Sequence, residues 1–172
     1  MSDRVQIVQL DLATLEALAS GDLALANAHS PIALNDFYVG PECIGVWRMR
    51  AEQVATTPAD QPWVTGIVVA DGQPVGRAGF HAAPDAEGMV EVGYAIDPPH
   101  RRRGYARAAL EVLLDRARRE PDVHRFVASV RPDNEPSLNL IAQYGFERTG
   151  EQWDDEDGLE WIFEVWTGPA RG

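Results

Sequence analysis

Between residues 89 and 120 the hydrophobic period changes once, and this change constrains the fold more than any other feature of the chain. "MVEVGYAI" (89–96) alternates. Val90, Val92, Tyr94 and Ile96 share one side and Glu91, Gly93 and Ala95 the other, which is the pattern of a strand. "GYARAALEVLLDRARRE" (104–120) instead places Ala109, Val112, Leu113 and Ala117 on one stripe of an amphipathic helix. "DPPH" stops the strand, and Pro121 closes the helix. The connection gathers Arg101, Arg102 and Arg103 before Gly104, with Arg107 one turn later.

This arginine cluster stands in a chain of formal charge -12, so it is not there for solubility. A helix N-terminus leaves its first N–H groups unpaired and carries a partial positive charge. Such a terminus binds phosphate. Gly104 lets a ligand approach the backbone, and Ala106 keeps the next position small. Arginines beside the amides add full charges. The stretch therefore reads as a pyrophosphate cradle. The plain alternative is a solvated basic run, which is unfavourable at a helix start because the dipole prefers acids there. No Gly-Lys-Ser/Thr follows, so it is not a P-loop, and the G-x-G-x-x-G spacing of a dinucleotide fingerprint is absent.

Around this unit the chain divides clearly in the middle and less clearly at the start. "RVQIVQL" (4–10) predicts a strand ending at Asp11, an N-cap for the helix "LATLEALA", whose face is Leu12, Leu15, Leu18 and Ala19. Gly21 breaks that helix, and "NAHSPIALNDFYVGPE" has no clear period. Residues 43–55 predict a helix with Val46, Met49 and Val54 in register. "WVTGIVVA" (63–70), the Asp71-Gly72 turn and "VGRAGF" (75–80) predict a hairpin that extends into 89–96 as an antiparallel meander. Later come a strand at 125–130, a helix at 135–144 ended by Gly145, and a hairpin from "FERTGEQW" and "LEWIFEVW". One domain over residues 1–172, α+β or mixed α/β, accounts for this order. The last residues, "TGPARG", are expected to lack order.

The stretch Arg101-Arg102-Arg103-Gly104-Tyr105-Ala106 matches the R/Q-x-x-G-x-G/A signature of the GNAT acetyltransferase superfamily. "RPDNEPSLNLIAQYGFERTGE" (131–151) resembles the N-x-x-S and G-F segment of the branch that includes ribosomal-protein N-terminal acetyltransferases. The similarity runs from Val64 to Trp166, and the first sixty residues match only in general layout. The resemblance implies a single-domain GNAT fold: a twisted, mostly antiparallel sheet flanked by helices, with a splayed parallel pair formed by 89–96 and 125–130. It implies acetyl-CoA as co-substrate in that gap, with no metal. The pantetheine arm would meet the backbone of Tyr94, Ala95 and Ile96, and the pyrophosphate the amides of Arg101, Arg102, Arg103, Gly104, Tyr105 and Ala106. Asn134 would contact the pantetheine, and Ser137 would lie near the thioester sulfur. The reaction implied is acetyl transfer to a primary amine, of a small molecule or a peptide N-terminus, in a ternary complex.

The tyrosine that many of these enzymes place four residues before the G-F glycine is here Ile141. Tyr144 is out of phase, and the resemblance to the N-x-x-S branch implies Ser137 as candidate acid or thiolate partner, with an ordinary first-turn hydroxyl as its alternative role. Glu91 is the candidate base, directly or through water, and His81 a third option. Succinyl or O-acetyl transfer, or a non-catalytic acyl-CoA-binding module, would use the same cradle.

The acidic balance speaks against a nucleic-acid partner. No apolar run approaches the ~20 residues of a membrane helix, and no secretory signal is visible. A lone cysteine, Cys43, gives no internal disulfide and no metal cluster, so a cytoplasmic location and a small buried side chain are expected. The closing hairpin carries Glu147, Glu151, Asp154, Asp155, Glu156, Asp157, Glu160 and Glu164 against Arg148, with Trp153, Trp161 and Trp166 between them. It reads first as a solvated hairpin with an apolar inner face, and also suits a cationic acceptor. The resemblance allows a homodimer.

Overall fold

Alternation in the strands and a helical stripe at 104–120 leave one solution, a sheet with helices on its faces, and the computed structural model has that form. It describes residues 5–168. Arg4 of the expected first strand and residues 169–172 of the expected loose tail lie outside the described residues. Thr167 and Gly168 are held, their N–H groups donating to the His124 carbonyl at 2.9 and 3.3 Å.

The elements are β1 (Val5–Val8), α1 (Leu12–Ala19), α2 (Leu23–His29), α3 (Ile44–Thr56), β2 (Gly66–Ala70), β3 (Gln73–Phe80), β4 (Met89–Ile96), α4 (Tyr105–Arg119), β5 (Arg125–Val130), α5 (Glu135–Ala142), β6 (Glu147–Asp154) and β7 (Gly158–Trp166). The sheet runs β1-β2-β3-β4-β5-β7-β6. All neighbours are antiparallel except β4 and β5. The final hairpin inserts its second strand beside β5 and leaves β6 at the edge.

Two cores form on the two faces. Val68 and Ala70 of β2 join Val90, Val92, Ile96, Phe126, Ala128 and the inner residues of α4 and α5. Ile67 and Val69, alternate residues of the same strand, join Leu15, Leu18, Tyr38, Trp47 and Val54 under α1 to α3. Cys43 is buried in that second core as a free thiol, and burial pushes its pKa up. The α4 stripe is Tyr105, Ala109, Leu110, Leu113, Leu114 and Ala117, wider than the sequence suggested and with Val112 at its margin.

The α3 stripe differs from the expectation. Trp47, Arg50, Ala51 and Val54 are buried, while Met49 is 53% exposed. The reason is polar. Arg50 enters because Thr65 Oγ1, Gln53 Oε1 and the His81 carbonyl accept its N–H groups at 3.2, 2.8 and 3.2 Å. Burial pulls its pKa down, and among the described residues its guanidinium has no carboxylate in contact.

Candidate functional site

The β4–β5 pairing ends early. Met89 to Val92 pair with Arg125 to Ala128, but β4 continues to Ile96 and β5 to Val130. Beyond Val92 the two strands part. On the β3 side, the Glu91 carbonyl accepts from the His81 N–H at 2.8 Å, and the Asp97 N–H donates to Val75 at 2.9 Å. Odd-numbered residues of β4 therefore bond β3, and a Cβ on Gly76 would meet the Ala95 carbonyl oxygen at 2.3 Å. By antiparallel alternation, Tyr94 and Ile96 turn their N–H and C=O groups into the opening, where no strand meets them. The Ile96 carbonyl accepts from Arg101 Nε at 2.8 Å. Of the three residues expected to offer backbone to a pantetheine arm, Tyr94 and Ile96 face the opening and Ala95 faces β3.

At the mouth of the opening, the chain turns into α4. Arg102 and Gly104 are both left-handed, at φ 62° and 81°. Gly104 is the N-cap, has no side chain to bond the first-turn amides, and no acid stands in that turn. A Cβ on Gly104 would meet nothing within 4 Å, so the space before the helix is open. Arg101 is tied to Ile96 and to the Glu42 carboxylate at 3.1 Å. Arg102 and Arg103 are exposed and make no hydrogen bond or ion pair among the described residues. Tyr105 is buried beneath and Ala106 half-buried. Arg107 turns away. It bonds Gln143 and the Tyr144 hydroxyl and lies over the Tyr144 ring at 5.7 Å.

Two polar groups flank the opening on opposite faces of the sheet. On the α1–α3 side stand Glu91, His81 and Ser129. Glu91 Oε1 accepts from Ser129 Oγ at 2.7 Å, and Glu91 Oε2 lies 3.5 Å from His81 Nδ1. Gln152 reaches Ser129 from β6 at 3.3 Å. Burial acts to raise the Glu91 pKa, but the hydrogen bonds and charge of His81, the Ser129 hydroxyl and the Arg50 guanidinium outweigh it and hold it below the ordinary carboxylate value. His81 lies close over Gly93, where a Cβ would stand 3.0 Å from His81 Nε2, so any side chain there would push the imidazole aside. Arg50 and Gln53 both bond the His81 carbonyl, at 3.2 and 2.8 Å, and so fix its backbone.

On the α4–α5 side stand Tyr94, Asn134 and Ser137. Asn134 caps α5, its Oδ1 accepting from the Ser137 N–H at 3.3 Å. Ser137 is half-buried in the first turn. Ile141 is buried in the core at 1% exposure. Tyr144 is occupied elsewhere, its hydroxyl donating to Glu111 at 2.7 Å. Sequence reasoning missed Ser129, Gln152 and Arg50. Ser129 was within reach, since Phe126, Ala128 and Val130 take the inward positions of β5 and leave Ser129 on the Glu91 side. No group of three or more His, Cys, Asp or Glu among the described residues could hold a metal ion.

The fold that carries this opening is shared by solved structures. RimJ of Mycobacterium smegmatis, solved with CoA-disulfide, shares it at TM-score 0.65 and 20% identity, over 94% of this chain and 81% of that one. Salmonella typhimurium yncA, solved with acetyl-CoA, shares it at TM-score 0.62 and 20% identity, over 99% and 98%. The chain matches the Acetyltransferase (GNAT) domain over residues 14–147, and it belongs to that family. The match begins inside α1, well before Val64, so α2 and α3 are part of it, and it stops at the start of the closing hairpin. The N-acetyltransferase YjdG of Bacillus subtilis (strain 168) is 38% identical over 72 residues, 42% of this chain and 43% of that relative. The chain spans about half the length of the curated relatives it matches, 56% for p20 of Bacillus licheniformis.

Proposed function

We propose that the protein is an acetyl-CoA-dependent N-acetyltransferase that acts on a primary amine in a ternary complex. One observation carries the reading: the strand opening beyond Val92 runs directly to a helix N-terminus that Gly104 leaves open and that Arg102 and Arg103 flank without partners among the described residues. An extended arm ending in a pyrophosphate fits that path, with the amides of Arg101 to Ala106 on the phosphates and the backbone of Tyr94 and Ile96 on the arm. Acetyl-CoA supplies the activated acyl group.

The residues at the opening have separate tasks. Binding both substrates in line supplies much of the rate. A backbone N–H of β4, for which Tyr94 is suited, stabilises the oxyanion. Glu91 receives the ammonium proton, directly or through water, and His81 and Ser129 keep its carboxylate ionised and oriented. Ser137 and Asn134 stand on the far side, where the sulfur leaves.

The acceptor is cationic in this reading. The acidic closing hairpin borders the Glu91 side through Gln152, which also bonds Glu160 at 2.9 Å. A groove of about 640 Å³ at the end of β4 is lined by Asp36, Phe37, Glu42 and Asp97 among others. The test is release of free thiol from acetyl-CoA against a panel of diamines, polyamines, aminoglycosides and basic peptide N-termini. Transfer to at least one, weakening as salt rises, is expected. Binding of acetyl-CoA without transfer to any amine would leave an acyl-CoA-binding module instead. Among the described residues no helix is long and apolar enough to cross a membrane.

A further inference from the structure

Tyr94 carries a buried group that neither the fold nor the reaction sketched above employs. Its hydroxyl oxygen is closed off from solvent and has no hydrogen-bond partner among the described residues. An unpaired buried hydroxyl is costly and rare, and where one persists it points to a missing partner. Its position says what that partner would be. Tyr94 lies two residues beyond Val92, the last residue of β4 that pairs with β5. Its side chain shares the α4–α5 face with Val92 and Ile96 and packs against that core, while the residue as a whole stays half-buried. It thus stands on the side of the opening where Ser137 begins α5, across the sheet from Glu91.

We infer that the Tyr94 phenol is a catalytic residue whose partner is the thioester sulfur, to which it donates a hydrogen bond as the sulfur departs. The inference rests on the reading of the chain as an acetyl-CoA-dependent transferase. As the amine nitrogen bonds the carbonyl carbon, the proton it gives up passes toward Glu91. When the C–S bond breaks, its electron pair leaves on sulfur. The phenol holds that thiolate without losing its own proton, and CoA takes a proton from water as it is released. Burial, the larger influence, pushes the phenol pKa up, and the nearby Ser137 hydroxyl offsets part of the rise, so the group stays a donor at neutral pH.

The experiment compares CoA with desulfo-CoA by calorimetry on wild type and Tyr94→Phe, and needs no knowledge of the acceptor. Wild type should prefer CoA by roughly two- to tenfold, the scale of one hydrogen bond to the neutral thiol. Tyr94→Phe should lose that preference, keep its affinity for desulfo-CoA, and melt no lower than wild type, because it removes a hydroxyl without a partner. With an amine in hand, its turnover should fall ~10–100-fold with the acetyl-CoA KM little changed. An intact preference in Tyr94→Phe overturns the inference alone. Equal loss of affinity for both ligands also overturns it, since the ring would then be shaping the gap. A variant that fails to fold refutes the premise that the hydroxyl is unpartnered. Wild type that binds neither ligand overturns the transferase reading as well.

Discussion

Replacing Gly104 by alanine separates the cost of its backbone from its use to a ligand. At φ 81° an L-residue is strained by roughly 1–2 kcal/mol. For a chain of this length that corresponds to a melting point lower by roughly 2–8 °C. The new Cβ touches no protein atom within 4 Å, so no steric cost adds to the strain in the free protein. The methyl group instead takes space in front of the α4 amides. Each charge-assisted hydrogen bond lost there is worth ~1.5–3 kcal/mol, so acetyl-CoA affinity should fall about 10–100-fold. Gly72 provides the matched control. Its φ is 77° and a Cβ there also meets nothing, but it lies in the β2–β3 turn. Gly72→Ala should lose similar stability and bind acetyl-CoA as wild type does. Thermal melts and calorimetric titrations of both variants suffice. Equal affinities in a folded Gly104→Ala protein would refute the cradle.

Other substitutions test the remaining parts of the site. Glu91 is held below its ordinary value of 4.5, so it stabilises the folded state fully above that pH and loses the contribution as pH falls through its lower folded-state value. The melting difference between wild type and Glu91→Gln should therefore be largest near neutrality and shrink below pH 4.5, and a pH-independent difference would contradict this. Gly93→Ala pushes a methyl group to 3.0 Å from His81 Nε2, so transfer should drop several-fold while acetyl-CoA binding holds; calorimetry and rate assays read the two apart. Tyr144→Phe removes the hydroxyl that bonds Glu111 and Arg107, and about 1 kcal/mol of stability with it, but should leave turnover unchanged. A large fall in its kcat would place Tyr144 in the chemistry.

Much of this arrangement was legible in the residues. Period-two alternation gave β4 and β5 to the residue, and the period change at Gly104 gave α4 to within a residue at each end. These segments bury one full face, so pattern and packing agree. Helix α2 went unread because "LALANAH" is a single short stretch with Ala26 alone buried, although Asp22 caps it by accepting from Leu25 N at 2.9 Å. The α3 register misled because Arg50 looks like a surface residue, and only its tertiary acceptors bring it inside. The swap that seats β7 rather than β6 beside β5 is a choice between two antiparallel neighbours, which local sequence does not encode. The proposed phosphate end rests on one contiguous turn, so its residues lie side by side in the sequence. The Glu91–Ser129–Gln152 group draws on three strands far apart in sequence, and no spacing announces it.

Amide hydrogen exchange of the wild-type chain with and without acetyl-CoA tests the central claim most directly. Slower exchange confined to Tyr94–Ile96 and to Arg101–Ala106 is expected, with the β2–β3 turn unaffected. Acetyl-CoA that binds but protects neither segment would contradict the placement of the ligand in the strand opening.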